Sequence, residues 1–385
     1  MNTRALSYSR ISTFLGCVYN YNKRYEEGVR KRFDAAYLRR GSLVDNGIEA
    51  AIRAQEDGAD EGTCAVEAAE AVALKGKEWL EDENIAPWLE NVPGLETEAL
   101  ELIAECQLIA IRAVEDLELG TGRWQTLWVP DMKNPDPEAD QVLGVQFKVT
   151  HPLEAWEEGY QGYVDWLARD TKTGHIWLID FKVRKQMQPE ESLEFDLQLP
   201  TYQYCIEKMI GEPVTGCAHY QIRAAVPKRP PLLKPKITKK NPNALSAGVS
   251  RNKSIATNWK TYRQTVIEEG FDPADYLDMR DALSEFERFT TCHRSVIELE
   301  QTWAEVEAAA AKISEHHARL DNMGPERISN LRRLNIMQCR GCQMQDLCLG
   351  ELRGHDTAEI LRNDFYILGQ EPTEPPPPTT PSVES

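Results

Sequence analysis

Chemistry is first legible in this 385-residue chain at Asp165, Asp180 and Lys182. They lie in the stretch 161–182, where two apolar, alternating runs flank a polar turn ending in Gly174. That pattern predicts a β-hairpin. With a four-residue loop, Thr171–Gly174, Asp170 faces His175 and pairing runs outward with residue numbers summing to 345. Asp165 then falls opposite Asp180. Opposed residues share a sheet face, and like charges there repel unless something sits between them. Lys182, two residues past Asp180, lies on the same face. A divalent cation such as Mg²⁺ or Mn²⁺ suits paired carboxylates. It would polarise a phosphodiester and hold an attacking water, while the lysine positions or deprotonates that water and offsets transition-state charge. The alternative is a hairpin face of ordinary solvated charges, and an isolated Asp-x-Lys is common.

Other residues could join this group. Gln198 and Tyr202 are one turn apart near the start of a predicted helix, with Pro200 confined to its first turn. Asp45 and Glu49 are four apart in a predicted helix over 37–55, entered through Gly41, so they share a face. On these residues alone, a solvated acidic face is the better reading of those two. A second chemical group is Cys339-x2-Cys342-x5-Cys348, three thiols within ten residues. In a reducing compartment clustered cysteines point to metal rather than disulfides. A tetrahedral zinc site or an iron–sulfur cluster needs a fourth ligand. None is local, and only one cysteine pair is present where zinc sites usually use two. Cys17, some 320 residues earlier, is the candidate, although alone it also reads as a small buried hydrophobe.

The elements that position these groups follow an α/β order. A helix over 7–30, opened by a capping-type serine, is expected to carry Cys17. Acidic amphipathic helices are expected over 64–82 and 96–118. Strands over 122–130 and 142–150 flank a polar loop, Asp131–Asp140. The hairpin, the Gln198 helix and a strand over 217–226 come next. Helix is expected throughout 273–320. Hydrophobic residues make up 41% and charged residues 28%, with a net charge of −18. That balance alone argues against a nucleic-acid partner, but the charge is uneven. Between Arg223 and Arg263 there are eleven cations and no acid, leaving −29 on the rest. Lys228, Arg229, Lys234, Lys236, Lys239, Lys240, Arg251, Lys253, Trp259 and Lys260 are therefore candidates for contacting a DNA backbone, with Trp259 or Tyr262 stacking on a base. A flexible solvated loop is the alternative. The end, from Glu371, is Pro- and Thr-rich and reads as disordered. No apolar run suggests a membrane span or a signal peptide, so a cytoplasmic setting is expected.

Taken together, Gly162-Tyr-Val-Asp165, Ile179-Asp180-Phe-Lys182 and Gln198-Leu-Pro-Thr-Tyr202 resemble the PD-(D/E)XK nucleases of the RecB and AddB type. The early Cys17 with the late Cys-x2-Cys-x5-Cys is similar to the iron–sulfur subgroup, which includes the CRISPR-associated RecB-like exonucleases. The length and the basic insertion look more like versions carried by tailed phages. The resemblance spans 8–348. It implies a restriction-endonuclease-like core, a mixed sheet flanked by helices, acting as an Mg²⁺- or Mn²⁺-dependent DNA exonuclease in recombination, repair or phage DNA processing. Asp45, Asp165, Asp180 and the Phe181 carbonyl would hold the metal. Lys182 would be catalytic, with Asp165, Asp180, Gln198 and Tyr202 supporting it. Cys17, Cys339, Cys342 and Cys348 would hold a structural 4Fe–4S cluster clasping the two ends of the chain. DNA ends or single strands would be the substrate, and a recombinase, helicase or single-strand-binding protein a candidate partner. The family usually carries a histidine where this chain has Asp45, which leaves open a DNA-binding or assembly protein on an impaired nuclease fold.

The expected divisions are an N-terminal helix over 1–36, a nuclease core over 37–222, a basic insertion over 223–272, a helical C-terminal segment over 273–365 and a tail over 366–385.

Overall fold

The computed structural model describes residues 4–31, 36–91, 94–133, 140–233, 248–323, 332 and 339–369. Its centre is one mixed sheet. In chain order the strands are β2 (Trp124–Thr126), β5 (Val145–Leu153), β6 (Trp156–Asp170), β7 (Ile176–Arg184), β8 (Gly216–Arg223) and β11 (Glu287–Cys292). The path runs β11-β8-β7-β6-β2, with β5 also paired to β6. Among the described strands, β7 and β8 are the parallel pair. A parallel pair needs a crossover, and helix α7 (Gln198–Ile210) supplies it.

Helices cover both faces. Helices α3 (Ala36–Glu56), α4 (Glu61–Leu80) and α6 (Leu95–Asp116) pack Leu43, Ile48, Val72 and Ile109 against Trp166, Ile179, Phe181 and Tyr220. On the other face, α1 (Tyr8–Gly16), α7 and α9 (Val296–Met323) pack Ile11, Tyr202, Trp303 and Ile313 against Phe147, Val164 and Leu178. Gly47 sets the height of α3. A Cβ there would lie 2.8 Å from the Val72 side chain and 2.9 Å from both the Ala110 Cβ and the Ala68 carbonyl. Only glycine lets α3 sink this far onto α4 and α6, two residues from Asp45.

The chain ends are tied to each other. Strand β1 (Val29–Lys31) pairs with β12 (Phe365–Ile367) in a separate two-stranded sheet. Tyr21 and Asn22 reach across to α9, where the Tyr21 hydroxyl lies 3.0 Å from His317 Nε2 and Asn22 Oδ1 lies 2.8 Å from His316 Nε2.

Several expectations are corrected. The stretch 273–320 is not helical throughout. A 3₁₀ turn (Pro273–Met279) precedes β11, which is the edge strand of the main sheet, so the core sheet continues past residue 222 into the C-terminal third. Strand β11 reads poorly because half-buried charges, Glu287 and Arg288, beside a partly exposed Phe289 leave no clean alternation. The opening segment is also not one helix: α1 stops at Gly16, Cys17 is extended with φ −161°, and α2 (Val18–Tyr21) restarts after it. Gly41 lies five residues inside α3 rather than at its entry. The expected tail began at 366, but Tyr366 and Ile367 are in β12, and 370–385 lie outside the described residues. In the basic stretch, β10 (Gly248–Val249), α8 (Trp259–Glu268) and the 3₁₀ turn build a small core of Val249, Tyr262, Val266, Tyr276 and Met279, so this part is packed structure rather than a solvated loop.

Candidate active site

The hairpin forms in the expected register. Trp166 pairs Ile179, Leu167 pairs Leu178 and Ala168 pairs Trp177, each summing to 345, and the Asp170 N–H donates to the His175 carbonyl. The ladder then stops short of Asp165 and Asp180. There the Asp165 side chain takes over, its Oδ2 accepting from the Phe181 N–H at 2.8 Å. The other neighbour of β6 also yields at this point. Val145 pairs Trp166 and Phe147 pairs Val164, but the Gln146–Asp165 step is missing, and Gln146 takes a positive φ of 46°. Val164 and Trp166, two residues apart, consequently pack into opposite cores. An interruption of this kind re-aims a side chain at a site. Gln146 Nε2 donates to Asp165 Oδ1 at 3.2 Å, so both carboxylate oxygens are held.

Asp180 is buried at 4% exposure. The Lys182 ammonium lies 2.8 Å from both of its oxygens. Asp45 reaches the same place from α3. Its Oδ1 is buried with no hydrogen-bond partner. Burial and the neighbouring charge of Asp165 push the Asp45 carboxyl well above the usual range. Burial, then Asp180, pushes Asp165 up to about 7. Lys182 is moved the other way: burial pulls its ammonium down, but Asp180 and Asp165 together outweigh that and hold it above its ordinary value. The site therefore carries three mutually repelling carboxyls and one firmly protonated lysine. Asp45, Asp165 and Lys182 line a cleft of about 720 Å³ together with Glu49, Arg184, Asp196 and Gln198, and Asp180 lies buried against it under Lys182.

Helix α7 brings the remaining expected pair. Asp196 Oδ1 accepts from the Gln198 N–H at 2.7 Å and the Leu199 N–H at 3.3 Å, capping the helix start, with Pro200 in its first turn. Gln198 Nε2 donates to the Tyr202 hydroxyl at 3.3 Å. The Tyr202 ring lies against Gly162, where a Cβ would come within 2.4 Å of Cε1. This explains the glycine of Gly162-x-x-Asp165: any side chain there would displace Tyr202. Burial pushes the Tyr202 phenol up to about 12, so it remains a proton donor.

Three residues near the site were not read from the sequence. His219, the parallel partner of Asp180 on β8, is buried, with Nε2 3.6 Å from Asp180 Oδ2 and 3.3 Å from Asp196 Oδ2. Burial raises the Asp196 carboxyl, but the hydrogen bond and charge of His219 outweigh that and lower it. Gln146 and Asp196 complete the set. Polar residues at alternate positions, His219 and Gln221, in the otherwise apolar run Cys217–Ile222 were the available signal for His219.

The four expected cysteines come to one end of the molecule. Cys17, Cys342 and Cys348 pack against Tyr19, Val29, Met344, Leu347 and Phe365. Burial raises the Cys342 thiol, and the charges of Cys17, Cys339 and Cys348 add to that, so all four are near neighbours. Arg332 Nε donates to Cys348 Sγ at 3.3 Å. Among the described residues, no set of three or more His, Cys, Asp or Glu side chains is arranged to hold a metal ion as placed.

The expected DNA contacts are not gathered at the cleft. Lys234, Lys236, Lys239 and Lys240 lie outside the described residues. Arg229 pairs with Glu268 and Glu269, Arg251 with Asp278, and Lys260 with Glu115. Lys228 and Lys253 are exposed. Trp259 stacks on Tyr262 at 6.0 Å, and Tyr262 is fully buried, which removes it as a stacking platform for a base.

A family model described as the PD-(D/E)XK nuclease superfamily matches residues 5–349. The chain belongs to that superfamily. No curated protein matches it. Among the described residues, no helix is long and apolar enough to cross a membrane.

Proposed function

We propose that this member of the PD-(D/E)XK nuclease superfamily is a metal-dependent deoxyribonuclease acting as an exonuclease at DNA ends. The observation that carries the reading is the meeting of Asp45, Asp165, Asp180 and Lys182 in one cleft, with a buried oxygen of Asp45 left without a partner. Three carboxylates with an unsatisfied oxygen are the donor set a hard cation requires. Asp45, Asp165, Asp180 and the Phe181 carbonyl would hold Mg²⁺ or Mn²⁺. Asp45 fits the position where relatives carry histidine, because a carboxylate oxygen suits such an ion. When bound, the ion would polarise the phosphodiester and make water a better nucleophile at neutral pH.

The protein's own groups have distinct tasks. Lys182, firmly protonated, offsets the negative charge that develops on the phosphoryl oxygens. Gln146 and the Phe181 N–H fix the Asp165 carboxylate. His219 and Asp196 hold the far side of Asp180 and the start of α7. Gln198 then faces the cleft as a donor that positions the strand, held by the buried Tyr202 hydroxyl that accepts from it. DNA cleavage of this kind serves recombination, repair or phage DNA processing, with a helicase, recombinase or single-strand-binding protein as partner. Cys17, Cys339, Cys342 and Cys348 hold a 4Fe–4S cluster that secures the chain ends. The host or cell cytoplasm is the expected setting.

The test is cleavage of end-labelled single- and double-stranded DNA in Mg²⁺ or Mn²⁺, beside circular and end-blocked substrates. Linear DNA should be degraded from its ends and circles spared. Cutting of circles at the same rate rejects the exonuclease reading, and binding without cleavage under any divalent metal rejects the nuclease.

A pH-linked melting experiment probes the carboxylates separately. Folding raises Asp165 to about 7, above its unfolded value near 3.9. The folded chain then holds more protons than the unfolded one between those values, so metal-free stability falls as pH rises through that window. A metal must displace those protons, so it binds better as pH rises. Mn²⁺ should therefore raise Tm little at pH 5.5 and clearly more at pH 8. A shift independent of pH would show that these carboxyls are not the ligands.

A further inference from the structure

Beyond the carboxylates, the cleft leads to a group of positive charges, Arg184, Lys185 and Arg223, that form no ion pair among the described residues, although Asp180 and Asp196 attract Arg184 from farther off. Arg184, the last residue of β7, lines the cleft and sits two residues past Lys182, on the same strand face. Its Nε is buried and has no hydrogen-bond partner. Its partner in the parallel ladder is Arg223, the last residue of β8. The two residues are thus neighbours across the parallel pair and lie on one side of the sheet. Neither has a carboxylate within ion-pair distance among the described residues. Arg223 is held only by stacking 4.8 Å over the Phe286 ring. Exposed Lys185 follows Arg184, and with Arg223 and Arg288 it lines a second hollow of about 220 Å³. The one acid there, Glu285, is taken by Arg288.

Arg223 opens the basic stretch singled out in the sequence, but farther along that stretch Arg229, Arg251 and Lys260 already hold carboxylates. The unpaired charges also lie at the C-terminal ends of parallel strands, the edge at which open α/β sheets take ligands. A guanidinium fork matches a phosphate bidentately.

We propose that Arg184, Lys185 and Arg223 form a phosphate-binding subsite that grips the nucleic-acid backbone next to the bond being cut. It rests on the nuclease reading of the adjacent carboxylates. The grip is made on a phosphate that does not react, so it acts mainly on binding. It also gives the strand a direction: out of the cleft past Arg184 and across the ends of β7 and β8.

The test uses the full chain and a fluorescein-labelled single-stranded oligonucleotide. Anisotropy is followed against NaCl in EDTA, so that no cleavage intervenes. Replacing two phosphate contacts in Arg184→Ala/Arg223→Ala should lower the slope of log K against log salt by about 1.4. Affinity should fall about tenfold or more at low salt, and in metal KM should carry most of the loss. The Arg184→Lys/Arg223→Lys variant, which keeps both charges, should retain the parent slope, and this separates loss of contact from loss of fold. An alanine double variant with parental slope and KM overturns the subsite. If the parent cuts DNA and the slope is unchanged, only the subsite falls. If the parent never cuts but the slope drops as expected, the subsite stands as a DNA contact and the nuclease reading falls.

Discussion

Lys182→Ala should cut DNA about 10³-fold more slowly than the parent, the scale of losing one preorganised charge at a reacting oxyanion. The same variant should still respond to metal. Lys182 holds both oxygens of Asp180 at 2.8 Å, so lysine and cation compete for one carboxylate. Its removal leaves Asp45, Asp165 and Asp180 repelling one another with no counter-charge. The metal-free protein should therefore melt lower, and Mn²⁺ should restore more stability than it does in the parent. Loss of cleavage with a preserved or enlarged Mn²⁺ shift places Lys182 in the chemistry. Cleavage at the parental rate would remove it from the mechanism and the nuclease assignment with it. Asp45→Ala should behave oppositely, losing both cleavage and most of the Mn²⁺ shift.

The second large effect belongs to the far end of the molecule. Protein purified without oxygen should be brown, with broad visible absorption, and Cys17→Ser should bleach it. Cys17 is separated from Cys339 by some 320 residues, yet it packs with Cys342 and Cys348 on the same small core. A metal group held across that gap contributes its binding free energy to folding, on the order of 10 kcal/mol at structural metal sites. The clasp should accordingly loosen in Cys17→Ser, with Tm lower by roughly 10 °C or more. Strands β1 and β12 and the Tyr21–His317 contact hold the ends by other means, so the core should remain folded. A colourless parent protein containing one zinc would reject the iron–sulfur cluster.

What was legible in the sequence depended on the range of the interactions. The hairpin register was readable because turn length fixes pairing between neighbours, and it holds from Arg169 to Trp166, one step short of the expected Asp165–Asp180 pair. The α7 pair was readable from helical spacing. His219 was not, because its place beside Asp180 comes from a parallel pairing across a crossover, which no local pattern encodes. Gln146 was hidden for another reason: its role depends on a backbone irregularity with φ 46° at a residue that is not glycine. Strand β11 joins the sheet from outside the expected core, and its mixed burial gives it no periodic signature. The count of cations in 223–263 misled because charge read along a chain takes no account of carboxylates brought from elsewhere, such as Glu115 at Lys260.

The pairing of β1 with β12 also sets an order of events during synthesis. Its two strands are made at opposite ends of the message, with residues 32–364 between them. At ribosomal speeds of about 5–20 residues per second, β1 waits roughly 15–70 s for its partner. The central sheet reaches completion at β11, so the core can close while β1 is still unpaired. Val29 and Tyr19, buried at 2% and 1% in the finished molecule, are exposed throughout that interval. Strand β1 is thus made early and paired late, while Leu6 and α1 dock earlier on the central sheet, and β1 is where a chaperone or a protease would meet the nascent chain.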